Sequence, residues 1–93
     1  MIIGTRTYDL RIAQARSLKD KRSVLKSLLT RLGGRFNAAV AELEDHDLHQ
    51  QSLIGVAVIS NSKSHAAEML DKISRFIESE PEIEVGGVST EIY

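Results

Sequence analysis

The sequence contains no cysteine and no tryptophan, and its 93 residues include only two phenylalanines, two tyrosines and one proline. The absence of cysteine excludes a disulfide framework, thiolate chemistry and cysteine-ligated zinc. Long hydrophobic runs are also absent. Met1, Ile2 and Ile3 lead directly into polar residues, which is too short for the apolar core of a signal peptide or for a membrane span. We therefore expect an intracellular, cytoplasmic protein.

The residues that are present have the composition of an ordinary globular protein, 42% hydrophobic and 27% charged. This combination argues against intrinsic disorder. The length suits one domain with a modest core, and no repeat, linker or low-complexity segment divides it. We predict a single domain over residues 1–93.

Positive charge is concentrated in one segment. Residues 11–35 contain eight basic side chains and one acid and so carry +7, whereas the other four basic and twelve acidic residues carry −8, which leaves the chain at −1. This distribution indicates a surface that meets polyanions such as nucleic acid. Because the acidic remainder repels phosphate, the pI near 6.3 argues against indiscriminate coating of nucleic acid.

Hydrophobic periodicity predicts six elements. Apolar alternation predicts strands at 2–12, 36–43, 53–59 and 83–93, and helical spacing predicts helices that begin after Ser17 and after 60–62. We expect Gly33-Gly34 to end the first helix and Pro81 the second, and Gly86-Gly87 to form a β-bulge. The order is the α+β, ferredoxin-like βαββαβ pattern, a four-stranded antiparallel sheet with two helices on one face.

Two side chains do not fit the apolar pattern of the predicted core. Arg6 is on the inward side of the first strand, where it needs a partner or a route to the edge. Lys21 falls inside the leucine arc of the first helix, where its stem can lie under the helix start. We expect Lys21 to pair with Glu42 and to serve structure rather than catalysis.

The first helix carries unpaired basic residues. Arg31 and Arg35 fall on one flank of its leucine face, and three other cations fall on the opposite flank. None of these three has an acidic residue four positions later in the sequence, where it could form an i,i+4 ion pair. The second helix, in contrast, has two predicted i,i+4 ion pairs, Glu68–Lys72 and Asp71–Arg75. Together with a residue before the helix, the unpaired cations form what we name the basic stripe: Arg16, Lys19, Arg22 and Lys26. The helix-start amides would add an anion site. We interpret the stripe as a phosphate-binding surface; the alternative is a solvated helix face.

The sheet face away from the helices has no aromatic residue. Bases stacked on it, as in RNA-recognition motifs, are therefore not expected. It is small and fairly apolar, which favours burial against a second copy of the chain. The interface residues predicted for this homodimer are Thr5, Ala39, Ala41, Leu53, Ala57 and Ile59.

No catalytic or metal-binding constellation stands out. His46, Asp47, His49 and His65 have generic spacing rather than that of converging ligands. No ordered nucleophile, base and orienting acid is found. We predict no metal, no cofactor and no enzymatic activity.

A long segment, residues 15–28, resembles the hallmark segment of the small bacterial YlxP-like family, a domain of unknown function. The similarity continues over essentially the whole chain, through 36–37, 40–42, 47–48, 55–61 and 70–73. It implies a ferredoxin-like fold and no catalytic residues. It also implies a link to translation or ribosome assembly, because the family's gene often lies between those of a translation initiation factor and ribosome-binding factor A. Arg6 and His49 depart from the family, which usually has an apolar residue and an aromatic there.

Three functions are compatible with these observations. The first is a non-enzymatic accessory protein that binds structured RNA or the ribosome through the basic stripe. The second is a homodimeric protein-interaction module whose basic face meets an acidic protein. The third is a small phosphate-handling enzyme of acylphosphatase type, with Arg16 and the helix amides as anion cradle, although residues 13–16 lack the glycine that lets backbone wrap a phosphate. We predict the first.

Overall fold

The computed structural model describes residues 1–44 and 50–93. Its elements are β1 (Ile2–Arg11), α1 (Leu18–Arg35), β2 (Ala39–Glu44), β3 (Gln51–Ser60), α2 (Lys63–Glu78) and β4 (Glu84–Ile92). The strands form one antiparallel sheet in the order β2-β3-β1-β4. The element order, the sheet and the placement of the helices confirm the predicted ferredoxin-like fold.

The core lies between the helices and one face of the sheet. Alternate residues of β1 and β3 are buried against leucines and isoleucines of both helices. The largest buried apolar residues of this layer are Tyr8, Leu10, Ile12, Leu28, Leu32, Ile54, Leu70, Ile73 and Ile77. Each helix begins at a serine cap: Ser17 Oγ accepts from the Asp20 amide and Ser62 Oγ from the His65 amide, both at 3.1 Å. These caps satisfy donors that the first turn would otherwise leave unpaired.

The expectation that Gly33-Gly34 ends α1 is wrong. The helix continues to Arg35, and Phe36 is its cap, with its amide bonded to the Leu32 carbonyl and its backbone extended. Neither glycine has a positive φ, so neither forms a left-handed cap. The helix continues because Phe36 packs against Phe76 of α2, and tertiary packing outweighs the low helix propensity of glycine.

Gly34→Ala is expected to raise the free energy of unfolding by about 0.5–1 kcal/mol, because alanine restricts the unfolded chain and favours the helix. A Cβ at Gly34 would have no heavy atom within 4 Å, so nothing opposes the gain. Gly86→Ala is the control and is expected to lower the free energy of unfolding, since its Cβ would lie 3.3 Å from the Asp9 carbonyl oxygen. Urea unfolding measures both. A loss of stability in Gly34→Ala would contradict the helical assignment.

Two irregularities bend the sheet at its edges. Between β1 and β4 the register shifts around Asp9, opposite Gly86-Gly87, which confirms the predicted bulge. A second bulge, at Leu43 in β2, is not evident from the sequence. It places Leu43 over Gly55, where an added Cβ would lie 2.9 Å from Leu43 Cδ1. A side chain at position 55 would therefore displace Leu43 from this position.

Arg6 finds both the partner and the route to the edge that its inward position requires. Its guanidinium donates to Asp71 Oδ1 and Ser74 Oγ at 2.8 Å, both on α2, and to Thr90 Oγ1 on β4 at 2.9 Å. Ser74 Oγ lies 2.6 Å from the hydroxyl of Tyr8. The network replaces an apolar contact between α2 and the sheet. Because it uses Asp71, the predicted Asp71–Arg75 pair is not formed.

Candidate nucleic-acid interface

The basic stripe lies on the flank of α1 that faces the β2 edge of the sheet. Gly33 shares this flank and approaches β2, since a Cβ there would lie 3.9 Å from Val40 Cγ2. Arg16, Lys19, Arg22 and Lys26 are all exposed. The structure therefore leaves the four predicted residues accessible, with Arg16 just before the helix and the others along its first half.

The side chains of the stripe have no protein partner in the part of the chain that the structure describes. None of the four takes part in a salt bridge or a side-chain hydrogen bond there. Lys19, Arg22 and Lys26 lie three or four residues apart, so they are neighbours on the helix surface. Like charges at this spacing repel, and an external anion would relieve that repulsion.

Arg31 and Arg35, on the opposite flank, are engaged with α2. Arg31 donates to Glu80 Oε1, and this hydrogen bond raises the pKa of Arg31 above its ordinary value. The guanidinium carbon of Arg35 lies 5.4 Å from the centroid of the Phe76 ring and 5.8 Å from that of Phe36. The two flanks of α1 therefore differ. The cations of one flank contact other side chains of the protein, whereas those of the other flank face outward.

The start of α1 does not offer the open anion site expected from its amides. The Asp20 carboxylate accepts from the Arg16 amide at 3.0 Å, while the Asp20 amide donates to Ser17 Oγ at 3.1 Å. This reciprocal cap places a negative charge where a phosphate would have to approach. It disfavours the acylphosphatase-type cradle and leaves the side chains of the stripe as the source of anion affinity.

Lys21 is buried, with 0% of its surface exposed, as its position on the helical wheel predicts. Its amine donates to the carbonyl oxygen of Gln51 at 3.2 Å, which ties the first turn of α1 to the start of β3. The predicted Lys21–Glu42 pair is not formed. Glu42 Oε2 instead accepts from the hydroxyl of the buried Ser52 at 2.7 Å. Lys21 anchors the helix and is not part of the exposed stripe.

The outer sheet face has an apolar half and a polar half. Thr5 pairs across the sheet with Ala57, and Ala57 with Ala39. Small residues at these rows and the next form the floor of a hollow of 280 Å³. On the other side of β1, Ser89 and Glu91 of β4 make the surface polar. The predicted residues of the dimer interface, all on this outer face, are Thr5, Ala39, Ala41, Leu53, Ala57 and Ile59.

The histidine cluster of the β2–β3 connection cannot be placed, because His46, Asp47 and His49 lie outside the described residues. Elsewhere, His65 Nδ1 lies 2.8 Å from Ser60 Oγ. Within residues 1–44 and 50–93, no three His, Cys, Asp or Glu side chains are grouped as a metal site would require. No helix in these ranges is long and apolar enough to cross a membrane.

A second basic surface was missed by the sequence reasoning. A cleft of 430 Å³ separates the end of α1 from the outer side of α2. It is lined by Arg35, Phe36, Lys72, Arg75, Phe76 and Ser79. The signal that could have revealed it is simple. The only two phenylalanines of the chain each follow an arginine, Arg35-Phe36 and Arg75-Phe76.

Comparisons with solved structures find small designed proteins. Ferredog-Diesel matches with a TM-score of 0.48 and 12% identity, over 96% of this chain and 83% of that one. LFR1 1, a design with a ferredoxin fold, matches with a TM-score of 0.47 and 9% identity, over 99% of this chain and 84% of that one.

Comparisons with natural sequences confirm the resemblance found in the sequence. The uncharacterized protein YlxP of Bacillus subtilis (strain 168) is 39% identical over 83 residues, which cover 89% of this chain and 90% of that protein. Residues 3–90 match the family model described as a protein of unknown function (DUF503). Since this match extends over nearly the whole chain, the protein belongs to the DUF503 family.

Proposed function

We propose that this protein binds structured RNA through the basic stripe, as an accessory factor of the ribosome or of its assembly. The observation that carries the proposal is that some basic residues of the protein have an acidic partner, whereas those of the basic stripe do not. Arg6, Arg31 and Lys72 are paired with Asp71, Glu80 and Glu68, respectively. The cations of the stripe have no acidic partner within the described ranges, and three of them, Lys19, Arg22 and Lys26, share one exposed flank of α1.

The geometry of the stripe suits a phosphate backbone. Lys19 and Lys26 are seven residues apart, so the helix separates them by about 10 Å along its axis. One strand of a duplex presents roughly three phosphates over that length. Contacts of this kind position a protein without reading bases, so specificity would come from the shape of the RNA.

Ribosomal RNA is the first target to test, because the family resemblance implies a link to translation. The cytoplasm would then be the site of action. The acidic remainder of the chain supports a directed encounter, since acidic surfaces repel phosphate and leave the basic ones as sites of approach.

The proposal is tested by titrating the affinity for a structured ribosomal RNA fragment against salt. Four phosphate contacts predict that log K falls against log salt with a slope of about −3, and reversal of Arg22 and Lys26 should flatten it. Nuclease treatment of the cellular complex separates the two leading hypotheses. Binding that survives digestion would indicate an acidic protein partner in place of RNA.

We further propose that the apolar half of the outer sheet face pairs with a second copy of the chain. Ile59 is 63% and Leu43 50% exposed, and Leu43 lines a hollow of 280 Å³ on the same face. A face with projections and a hollow can pair with itself about a two-fold axis. Asp9 and Glu44, which flank Leu53 in the sheet, lie at one end of this half and away from Ala57. Three strands about 4.8 Å apart and roughly 20 Å long offer some 300 Å² per copy. This is below the ~800 Å² per partner of a stable interface, so the dimer should be weak.

Ala57→Glu is expected to convert this dimer to monomer while the fold persists, because it would bury a charge at the centre of the interface. Sedimentation at tens of micromolar measures the mass of the wild type and of the variant. Ser89→Glu, on the polar half of the same face, is the matched control and should leave the mass unchanged. A wild type that sediments as a monomer at this concentration would show the dimer proposal to be wrong.

A further inference from the structure

We infer that the cleft between the C-terminal halves of α1 and α2 binds an unpaired RNA nucleotide, with the base on its phenylalanine rings and the phosphate on its cations. The inference rests on the proposed RNA binding and deepens it. The basic stripe recognises backbone shape, whereas this cleft would recognise a base that has left the helical stack.

The aromatic part of the cleft comes from both helices. The rings of Phe36 and Phe76 meet edge to face, with centroids 5.7 Å apart and an angle of 83° between their planes. Both side chains are half-buried, so part of each ring remains accessible. The guanidinium carbon of Arg35 lies 5.8 Å from the centroid of the Phe36 ring and 5.4 Å from that of Phe76. A base would take the place of this guanidinium on a ring or stack on its plane, since unpaired bases commonly stack on aromatic rings and on arginine planes.

The cationic part of the cleft comes from the same two helices. Lys72, Arg75 and Phe76 are spaced so that they share one face of α2, and Arg35 faces them from the end of α1. Arg75 has no acidic partner within the described residues, because the carboxylate one turn before it, Asp71, is bonded to Arg6. Arg35 has no carboxylate partner in those ranges either. Lys72 forms an exposed pair with Glu68 at 3.5 Å.

A purely structural role explains only part of this arrangement. The Phe36–Phe76 contact and the position of the Arg31 guanidinium over the Phe76 ring already join the two helices. Holding α1 against α2 does not require Lys72 or Arg75. Both line the cleft, and neither takes part in its cation–ring contacts. The volume of 430 Å³ falls within the range of roughly 300–1,000 Å³ typical of small-ligand sites. An aromatic floor surrounded by cations matches the two halves of a nucleotide.

The test compares two RNA hairpins that differ only in one bulged nucleotide, 2-aminopurine, whose fluorescence falls when the base stacks. Wild-type protein should bind the bulged hairpin about 5- to 150-fold more tightly, the range expected for stacking one base on an aromatic ring. Phe76→Leu keeps an aliphatic side chain but removes the ring. It should abolish both the preference and the quenching, with little change for the fully paired hairpin.

Arg75→Gln is the second variant, because this exposed side chain makes no salt bridge or side-chain hydrogen bond within residues 1–44 and 50–93. It should weaken only the bulged hairpin and lower its salt slope by about 0.7. The basic-stripe variant Arg22→Glu/Lys26→Glu should weaken both hairpins and keep the preference for the bulge.

The outcomes separate the two proposals. If the wild type binds both hairpins equally and Phe76→Leu and Arg75→Gln change neither, the cleft is not a nucleotide site, while RNA binding through the stripe stands. If neither hairpin binds the wild type, the proposed function and the inference built on it both fail.

Discussion

Replacing Arg22 and Lys26 together with glutamate is expected to weaken binding of structured RNA roughly 25- to 60-fold at about 0.1 M salt. Each lost phosphate contact removes about 0.7–0.9 from the slope of log K against log salt. At about 0.1 M salt, one decade below 1 M, the loss of two contacts lowers log K by the summed change in slope, which gives this loss of affinity. All RNAs tested should weaken by a similar factor, because the contacts are to the backbone. Fluorescence anisotropy over a salt titration measures both quantities.

A matched pair of single variants controls for net charge. Lys26→Glu and Lys63→Glu make the same substitution at exposed helical positions, but only the first lies in the stripe. We expect a several-fold loss of affinity for Lys26→Glu and almost none for Lys63→Glu. Thermal unfolding should be nearly unchanged in both. Equal losses would mean that overall charge, and not the stripe, determines binding.

Lys21→Ala is expected to lower the free energy of unfolding by about 2–4 kcal/mol, a loss typical of truncating a long buried side chain to alanine. It removes a four-carbon stem that is fully buried and the hydrogen bond to the Gln51 carbonyl. For a domain of this size the melting temperature should fall by roughly 10–25 °C. Lys21→Met, which keeps most of the volume, should cost clearly less.

Arg22→Ala is the control for this prediction, because Arg22 is the next residue along the helix but is exposed. Its effect on stability should stay within about 0.5 kcal/mol, as for most surface substitutions. Urea unfolding of the three variants measures the differences. A Lys21→Ala protein as stable as Arg22→Ala would show that Lys21 does not anchor the helix.

Burial and charge on α1 could be predicted from the sequence because both follow from helical periodicity. The wheel identified Lys21 as buried, and it placed Arg31 and Arg35 on the flank opposite the stripe. In the structure, Arg31 contacts Glu80 and Arg35 contacts Phe76, which accounts for the basic residues on that flank. Periodicity reports which way a side chain points, and it does not report which partner it meets. The Lys21–Glu42 pair was wrong for this reason, since Glu42 accepts from Ser52.

Features that depend on tertiary packing were beyond the sequence pattern. The Gly33-Gly34 pair has the composition of a helix end, yet the Phe36–Phe76 contact extends the helix past it. The sequence predicts that α1 begins after Ser17, but the bond of the Asp20 carboxylate to the Arg16 amide, which closes the anion site, depends on the path of the preceding loop.

The cleft shows the same limit at longer range. Phe36 and Phe76 are separated by 40 positions in the sequence. Only the crossing of the two helices brings their rings together. Neither arginine–phenylalanine pair is informative alone, because each is compatible with an ordinary helix flank.

Crosslinking in cells, followed by sequencing of the attached RNA, tests the central claim most directly. The wild-type protein should recover structured segments of ribosomal RNA, and the Arg22→Glu/Lys26→Glu protein, expressed at the same level, should lose them. Recovery of no RNA above background, or of the same segments by both proteins, would contradict RNA binding through the basic stripe.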